Sequence, residues 1–388
     1  MIIKRIVALL LTLCSVFCLF ASQISAEPGA TDNSAPNFNF DCRSAILMEA
    51  GTGRVLYEMN ADEALSPASV TKVMTLLLVM EAIEAGKISY SDMVTASAHA
   101  CSMGGSQIYL EEGEQMSVED MIKSVVIASA NDAALALAEH VAGTEEAFVK
   151  MMNEKAAALG LSATHFENTN GLDDSVQNHV TSARDIAIMS RELIKHKKIT
   201  EYSSIWMDTI RNGEFGLTNT NRLVRFYKGA TGLKTGSTAK AKFCITATAE
   251  RDGMSLICVI MAAPTRDIRN AAASSLLDWG FANYGVYKAE AKALDPVRVI
   301  GGVRQSCSVA YPEFSCVVNK SDIPKISCEI ELPESVPAPI KSGEKIGRVV
   351  YKLGDKEIGA ADILASESVE KIDFWGLLLK MLSKMAIA

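Results

Sequence analysis

Ser69-Val70-Thr71-Lys72 sets a hydroxyl and an amine three residues apart, one turn along a single face if the segment is helical. The run that follows, from Val73 to Met80, is almost wholly apolar, which predicts a helix buried on most sides. A serine at the N-terminal end of such a helix meets the positive end of the dipole and its free N–H groups. A lysine in apolar surroundings is costly to ionise, so its pKa falls and it can act as a base. The same S-x-x-K spacing recurs at Ser237, Ser342 and Ser368, but only Ser69 precedes a strong buried-helix pattern.

Two more clusters carry chemistry. Ser129-Ala130-Asn131 falls between helical patterns, where a short polar kink can project both side chains into a cleft. A helix cap before Asp132 would explain Asn131 but not Ser129. Lys234-Thr235-Gly236, followed by Ser237, lies on a strand pattern, and glycine there leaves room for close backbone approach by a ligand. Lys341-Ser342-Gly343 repeats the pattern in a polar turn and is set aside as coincidence.

Other chemistries lack their residues. His99, His140, His165, His179 and His196 form no H-E-x-x-H or H-x-H spacing, so no zinc site is predicted and each is read as structural or surface. There is no phosphate-cradling Gly-Lys-Ser/Thr loop and no G-x-S-x-G elbow. No cofactor or metal is required. The net charge of -8 removes the global basic field that nucleic-acid binding needs. Nine cysteines with no C-x-x-C, two of them in the first 20 residues, read as isolated thiols rather than a disulfide scaffold.

The elements that must position these groups follow from periodicity. Ser44–Met48 and Arg54–Tyr57 flank Gly51-Thr52-Gly53 as a hairpin. Helical patterns cover 117–129, 132–141, 145–159 and 182–195, the last opened by Ser182 as N-cap. Strand character returns at 231–236, 243–249 and 256–261, with a turn at Arg251-Asp252-Gly253, and a helical pattern follows over 270–284. Strands at both ends with helices between them predict an α/β (α+β) domain over 41–286, its antiparallel sheet assembled from both ends of the segment. Leu76, Leu77, Met80, Phe243, Ile245, Val259 and Met261 are its expected core. Short β-rich runs separated by Gly, Pro and charged turns predict a small all-β domain over 290–368.

Both ends of the chain read as addresses. Lys4-Arg5, an apolar run from Ile6 to Phe20 and the exit Ile24-Ser25-Ala26 make a signal peptide over 1–26, so the mature protein works outside the cytoplasm. Residues 27–40 read as a flexible leader. In the last segment, 369–388, Phe374, Leu378, Met381, Leu382 and Met385 share one helical face opposite Asp373, Lys380 and Lys384. That pattern predicts an amphipathic helix in a membrane interface, with docking onto its own domain as the alternative.

Taken together and in order, S-x-x-K, a serine–Asn pair and K-T-G form the signature shared by class A β-lactamases and penicillin-binding proteins. The chain resembles the low-molecular-mass penicillin-binding proteins that are serine-type D-Ala-D-Ala carboxypeptidases. Pro67–Thr75 is similar to their active-site helix, Asn170-Gly171-Leu172 with Ser182–Asp185 to their second stretch, and Gly232–Gly236 to their third. One departure is Ser237, where several relatives carry His. The resemblance implies a β-lactamase/transpeptidase-like fold with a helical insertion. It also implies a stem peptide of peptidoglycan ending in D-Ala-D-Ala as substrate, and β-lactam antibiotics as trapped mimics. Ser69 would be the nucleophile, Lys72 the base, and Ser129 with Lys234 the second proton-handling pair. Asn131, Lys234, Thr235, Gly236 and Ser237 would hold the substrate, with the N–H groups of Ser69 and Ser237 as oxyanion hole. Two rivals remain: a class A-like β-lactamase, with Glu167 beside Asn170 to activate water, and a catalytically silent wall-binding protein.

Overall fold

The computed structural model describes residues 38–173 and 176–385. The expected signal segment lies outside them, as does most of the leader. Of the leader, Phe38 and Phe40 are described; they stack on one another and meet Tyr57 edge-on, so the leader's last residues pack instead of hanging free.

Strands β1 (Ser44–Glu49) and β2 (Val55–Met59) form the predicted hairpin. Glu49 closes it by accepting the N–H groups of Gly51 and Thr52. Strands β3 (Ala230–Thr238), β4 (Lys242–Arg251) and β5 (Met254–Ala263) complete an antiparallel sheet of order β2-β1-β5-β4-β3. The N-terminal hairpin thus joins the late strands through β1 against β5, with Ile46 opposite Val259.

Alternation along β1 assigns its faces. Ile46 and Met48 enter the core shared with the helical segment, while Ala45 and Leu47 enter a second core. The second core is covered by the helix Arg266–Asn283, which starts four residues before its apolar pattern because Thr265 accepts the N–H of Ile268 as N-cap.

On the other face sit the helices α1 (Lys72–Glu84), α2 (Asn131–Ala142), α3 (Glu145–Ala158) and α4 (Ala183–Leu193). Helix α1 is central: residues 72–80 are all buried, and only its last turn reaches solvent, at Glu84. Ser182 caps α4 as expected, accepting the N–H of Asp185 at 3.1 Å. Phe243, expected in the core, is only half-buried; the other six residues named above are buried.

Beyond the helix Arg266–Asn283 the chain is strand and turn down to Ala365 apart from the 3-10 segment Lys320–Lys325, beginning at Tyr284 rather than near 290. Tyr284–Ala289 pairs with Phe314–Asn319, and a separate six-stranded sheet carries the rest. The strand Lys292–Ile300 runs through Asp295-Pro296 with a register shift between Leu294 and Val297, because proline has no N–H for the ladder. The seven cysteines among the described residues are free; Cys244, Cys258 and Cys307 are buried and Cys328 is exposed.

Candidate active site

Ser69 sits in a 3-10 turn, Ala68–Thr71, that leads directly into α1. Lys72 opens the α-helix, and its Nζ lies 2.9 Å from Ser69 Oγ. That amine is fully buried. Its other two contacts are Asn131 Oδ1 at 2.6 Å and the Asn170 carbonyl at 2.9 Å. Both are acceptors; the Asn131 amide is oriented by its Nδ2, which donates to Gly104 O. A neutral amine has two N–H groups and one lone pair. The two acceptors use the hydrogens, and the lone pair is left facing the Ser69 hydroxyl. Electrostatics favour that state: burial, then the charge of Lys234, hold the Lys72 pKa well below its usual value, with Asp132 pulling weakly upward.

Ser129 occupies a break between helices. A π-helical turn, Ser124–Ala128, ends on Ser129 in the left-handed conformation at φ 65°. Its hydroxyl accepts from Lys234 Nζ at 2.8 Å, and the same amine donates to Thr235 O at 3.0 Å. Lys234 is 1% exposed; burial and then Arg269 push its pKa down to about 7. Two hydroxyl–amine pairs therefore stand in one region, each amine with its pKa lowered by burial.

Strand β3 is pressed against the Ser69 turn. A Cβ added to Gly236 would lie 2.8 Å from both Ser69 N and Pro67 O. The room that glycine leaves is filled by the protein's own turn, not by a ligand as the sequence suggested. Thr235 Oγ1 donates to Thr220 Oγ1 at 2.9 Å, and Ser237, at the end of the row, is exposed. From the far side the 168–172 loop closes on the same turn: a Cβ on Gly171, at φ +85°, would lie 1.9 Å from Ala68 O. No side chain fits there.

Several contributors carried no motif. Arg269, 2% exposed and donating to Cys244 O, is the charge nearest in effect to Lys234. Asp132 receives the N–H groups of Ile108, Leu110 and Ala133, tying the 103–110 loop to α2. Glu145 receives Thr169 N–H and hydroxyl, holding the loop whose next carbonyl binds Lys72. His179, set aside with the other histidines, is buried behind Thr71. The Asn219-Thr220-Asn221 run was the one legible trace: three polar residues in a row, with Asn219 and Asn221 buried.

Glu167 does not serve the water-activating role the β-lactamase rival requires. It is exposed, and its carboxylate accepts the N–H groups of Gln177 and Asn178.

A serine beside a buried lysine whose pKa burial lowers, with a second hydroxyl–lysine pair and an edge strand alongside, fits an acyl-transfer enzyme whose serine is paired with lysine in place of histidine. The comparisons narrow the class. The D-alanyl-D-alanine carboxypeptidase family model matches residues 30–265, and the model for the C-terminal domain of penicillin-binding protein 5 matches 281–371. D-alanyl-D-alanine carboxypeptidase DacF of Bacillus subtilis is 39% identical over 379 residues, covering 96% of each chain. The crystal structure of penicillin-binding protein 5 from Haemophilus influenzae covers 87% of this chain and 100% of its own, at 32% identity and a TM-score of 0.75. Penicillin-binding protein D2 of Listeria monocytogenes, in its ampicillin-bound form, covers 64% of this chain and 100% of its own, at 32% identity and a TM-score of 0.59. The chain belongs to the D-alanyl-D-alanine carboxypeptidase family.

Proposed function

We propose that Ser69 is the residue with which this serine-type D-Ala-D-Ala carboxypeptidase removes the terminal D-alanine from peptidoglycan stem peptides. Lys72 Nζ takes the Ser69 proton as Oγ attacks the carbonyl between the two D-alanines. The tetrahedral oxyanion is held by the N–H groups of Ser69 and Ser237, a contribution of about 3–4 kcal/mol per donor in comparable sites. Ser129 and Lys234 pass a proton to the departing amine, and water then cleaves the acyl-enzyme. Lys234 and Thr235 receive the terminal carboxylate, with Gly236 giving the strand its close approach to the nucleophile. Asn131, whose amide is engaged by Lys72 and Gly104, orders the base and meets the substrate amide only by exchanging a partner. The observation that carries this reading is the Lys72 amine, 2.9 Å from Ser69 Oγ with its remaining contacts both acceptors.

Purified protein incubated with penicillin is expected to carry one adduct, on the peptide containing Ser69, that lasts minutes or longer. Rapid turnover of penicillin would restore the β-lactamase reading; an adduct elsewhere would end the Ser69 assignment.

The Lys234 pKa of about 7 sets a signed pH effect. A carboxylate binds the ammonium form, and above pH 7 the free enzyme holds the amine neutral. Binding must then take up a proton, so KM for diacyl-Lys-D-Ala-D-Ala should rise roughly tenfold per pH unit above about 7. The same peptide with a C-terminal amide should lack that rise. Identical profiles for acid and amide would remove Lys234 from carboxylate recognition.

The enzyme acts outside the cytoplasm, and we place it on the outer face of the cytoplasmic membrane. A catalytic domain from 41 to 283, a β-rich domain from Tyr284 to 368 and an anchor over 369–388 make up the mature arrangement. Among the described residues no helix is long and apolar enough to cross a membrane. The helix Phe374–Met385 instead exposes Phe374, Trp375, Leu379 and Leu382, which argues against docking onto its own domain. Trp375→Glu with Leu379→Glu should abolish sedimentation with anionic vesicles and leave D-alanine release unchanged. Retained sedimentation would refute the anchor.

A further inference from the structure

His179 belongs to none of the three motifs and touches no residue assigned to substrate, yet its hydrogen bonds end on the nucleophile's turn. The ring is 2% exposed and packs edge-on against Phe166. Its Nδ1 lies 3.0 Å from the Glu167 backbone nitrogen, a group that can only donate. Nδ1 therefore holds the lone pair, and the proton of the neutral ring is on Nε2. Nε2 donates to Thr71 Oγ1 at 2.7 Å. The Thr71 hydroxyl, accepting there, donates its own hydrogen to Ala68 O at 2.8 Å. The chain has one polarity and stops on the carbonyl of the peptide whose nitrogen is Ser69 N.

That peptide needs holding. Ala68 has φ +48°, a left-handed conformation that a residue with a Cβ adopts only under constraint. Burial keeps the ring neutral by pushing its pKa down to about 4, against the opposing pull of Glu167. A charged ring would turn a second donor on the Glu167 N–H.

We propose that His179 is a positioning residue for acylation: through Thr71 it fixes and polarises the Ala68–Ser69 peptide, aiming Ser69 N–H at the developing oxyanion. A hydrogen bond accepted at a peptide carbonyl strengthens the N–H at the other end of the same peptide as a donor. The effect falls on the transition state, where charge develops on the oxygen, and not on ground-state binding. The inference rests on Ser69 being the acylated residue.

The competing role is purely structural, with the imidazole holding the 167–179 segment by its bond from Glu167 N–H. Two amide substitutions separate the roles. His179→Gln can place an N–H donor where Nε2 stood, keeping the link to Thr71. His179→Asn can place an acceptor where Nδ1 stood, keeping the link to Glu167. Acylation by fluorescent penicillin, and kcat and KM for the D-Ala-D-Ala peptide, should stay within about threefold of wild type in His179→Gln. In His179→Asn, kcat and the acylation rate should fall about 10- to 100-fold with KM nearly constant, less than the loss of a whole oxyanion donor. Thr71→Val, which removes the relay and leaves the ring, should reproduce the His179→Asn loss and covers the case in which that variant does not fold. Equal rates in the Gln and Asn variants, the opposite ranking, or wild-type acylation by Thr71→Val each overturn the proposal. An adduct mapped away from Ser69 in the wild-type enzyme would fault the underlying assignment instead.

Discussion

Ser69→Ala is expected to lower D-alanine release by about 10⁴- to 10⁶-fold and to abolish the penicillin adduct, with the folded protein otherwise intact. Removing a nucleophile from such an ensemble removes nearly all that the ensemble does, because base and proton relay have nothing left to act on. What survives is the contribution of binding and of the oxyanion donors, which accelerate a direct attack by water only modestly. Stability should move little. Ser69 is half-buried, and its hydroxyl is bonded to Lys72, a contact worth about 1 kcal/mol net. Thermal unfolding measured beside D-alanine release separates loss of chemistry from loss of fold. Retention of more than about a hundredth of wild-type release would show that a different group is attacked or attacks.

The parts of the site that were legible in the sequence are those in which one short segment carries both the element and the chemistry. Ser69 and Lys72 are readable because the apolar run after them announces the helix that spaces them. Ser129 is readable because a polar kink between two apolar helices is unusual, and the left-handed φ of 65° at that residue bears out the break. The antiparallel sheet assembled from both ends of the catalytic segment was legible from strand alternation and from the Arg251-Asp252-Gly253 turn.

What stayed hidden is whatever depends on contact between distant segments. Arg269 reaches Lys234 only because the helix Arg266–Asn283 packs across strands β4 and β5. Asn170 contributes a backbone carbonyl, which any residue could supply, so no side-chain pattern could announce it. Gly236 was read as leaving room for a ligand, and the Ser69 turn fills that room instead, because spacing cannot say what approaches. His179 was set aside because a lone histidine carries no spacing, and its meaning comes from Thr71, over a hundred positions earlier in the chain.

Lys72→Met tests the electrostatic half of the mechanism. Methionine keeps the length and apolar character of the stem and removes the lone pair, so acylation by penicillin should fall by about 10³- to 10⁴-fold, the upper part of the range for a general base. An acylation rate within tenfold of wild type would place the base elsewhere. Stability carries a second, signed expectation. In the unfolded chain the Lys72 amine titrates near its ordinary value, whereas in the folded protein burial and Lys234 hold its pKa well below. Between those two values the unfolded state binds a proton that the folded state does not. Wild-type stability therefore gains a rising component across that window and reaches the full gain above the unfolded pKa. The methionine variant lacks this component. It also leaves Asn131 Oδ1 and the Asn170 carbonyl without their donor, at about 1–3 kcal/mol each. Near neutral pH the relief of the buried amine offsets part of that loss; as pH rises the relief vanishes and the loss remains. The difference in unfolding free energy, wild type minus variant, should thus grow from pH 7 to pH 10. A difference independent of pH would mean that the amine is as easily charged inside the protein as outside, and so would be no better a base for Ser69 than any surface lysine.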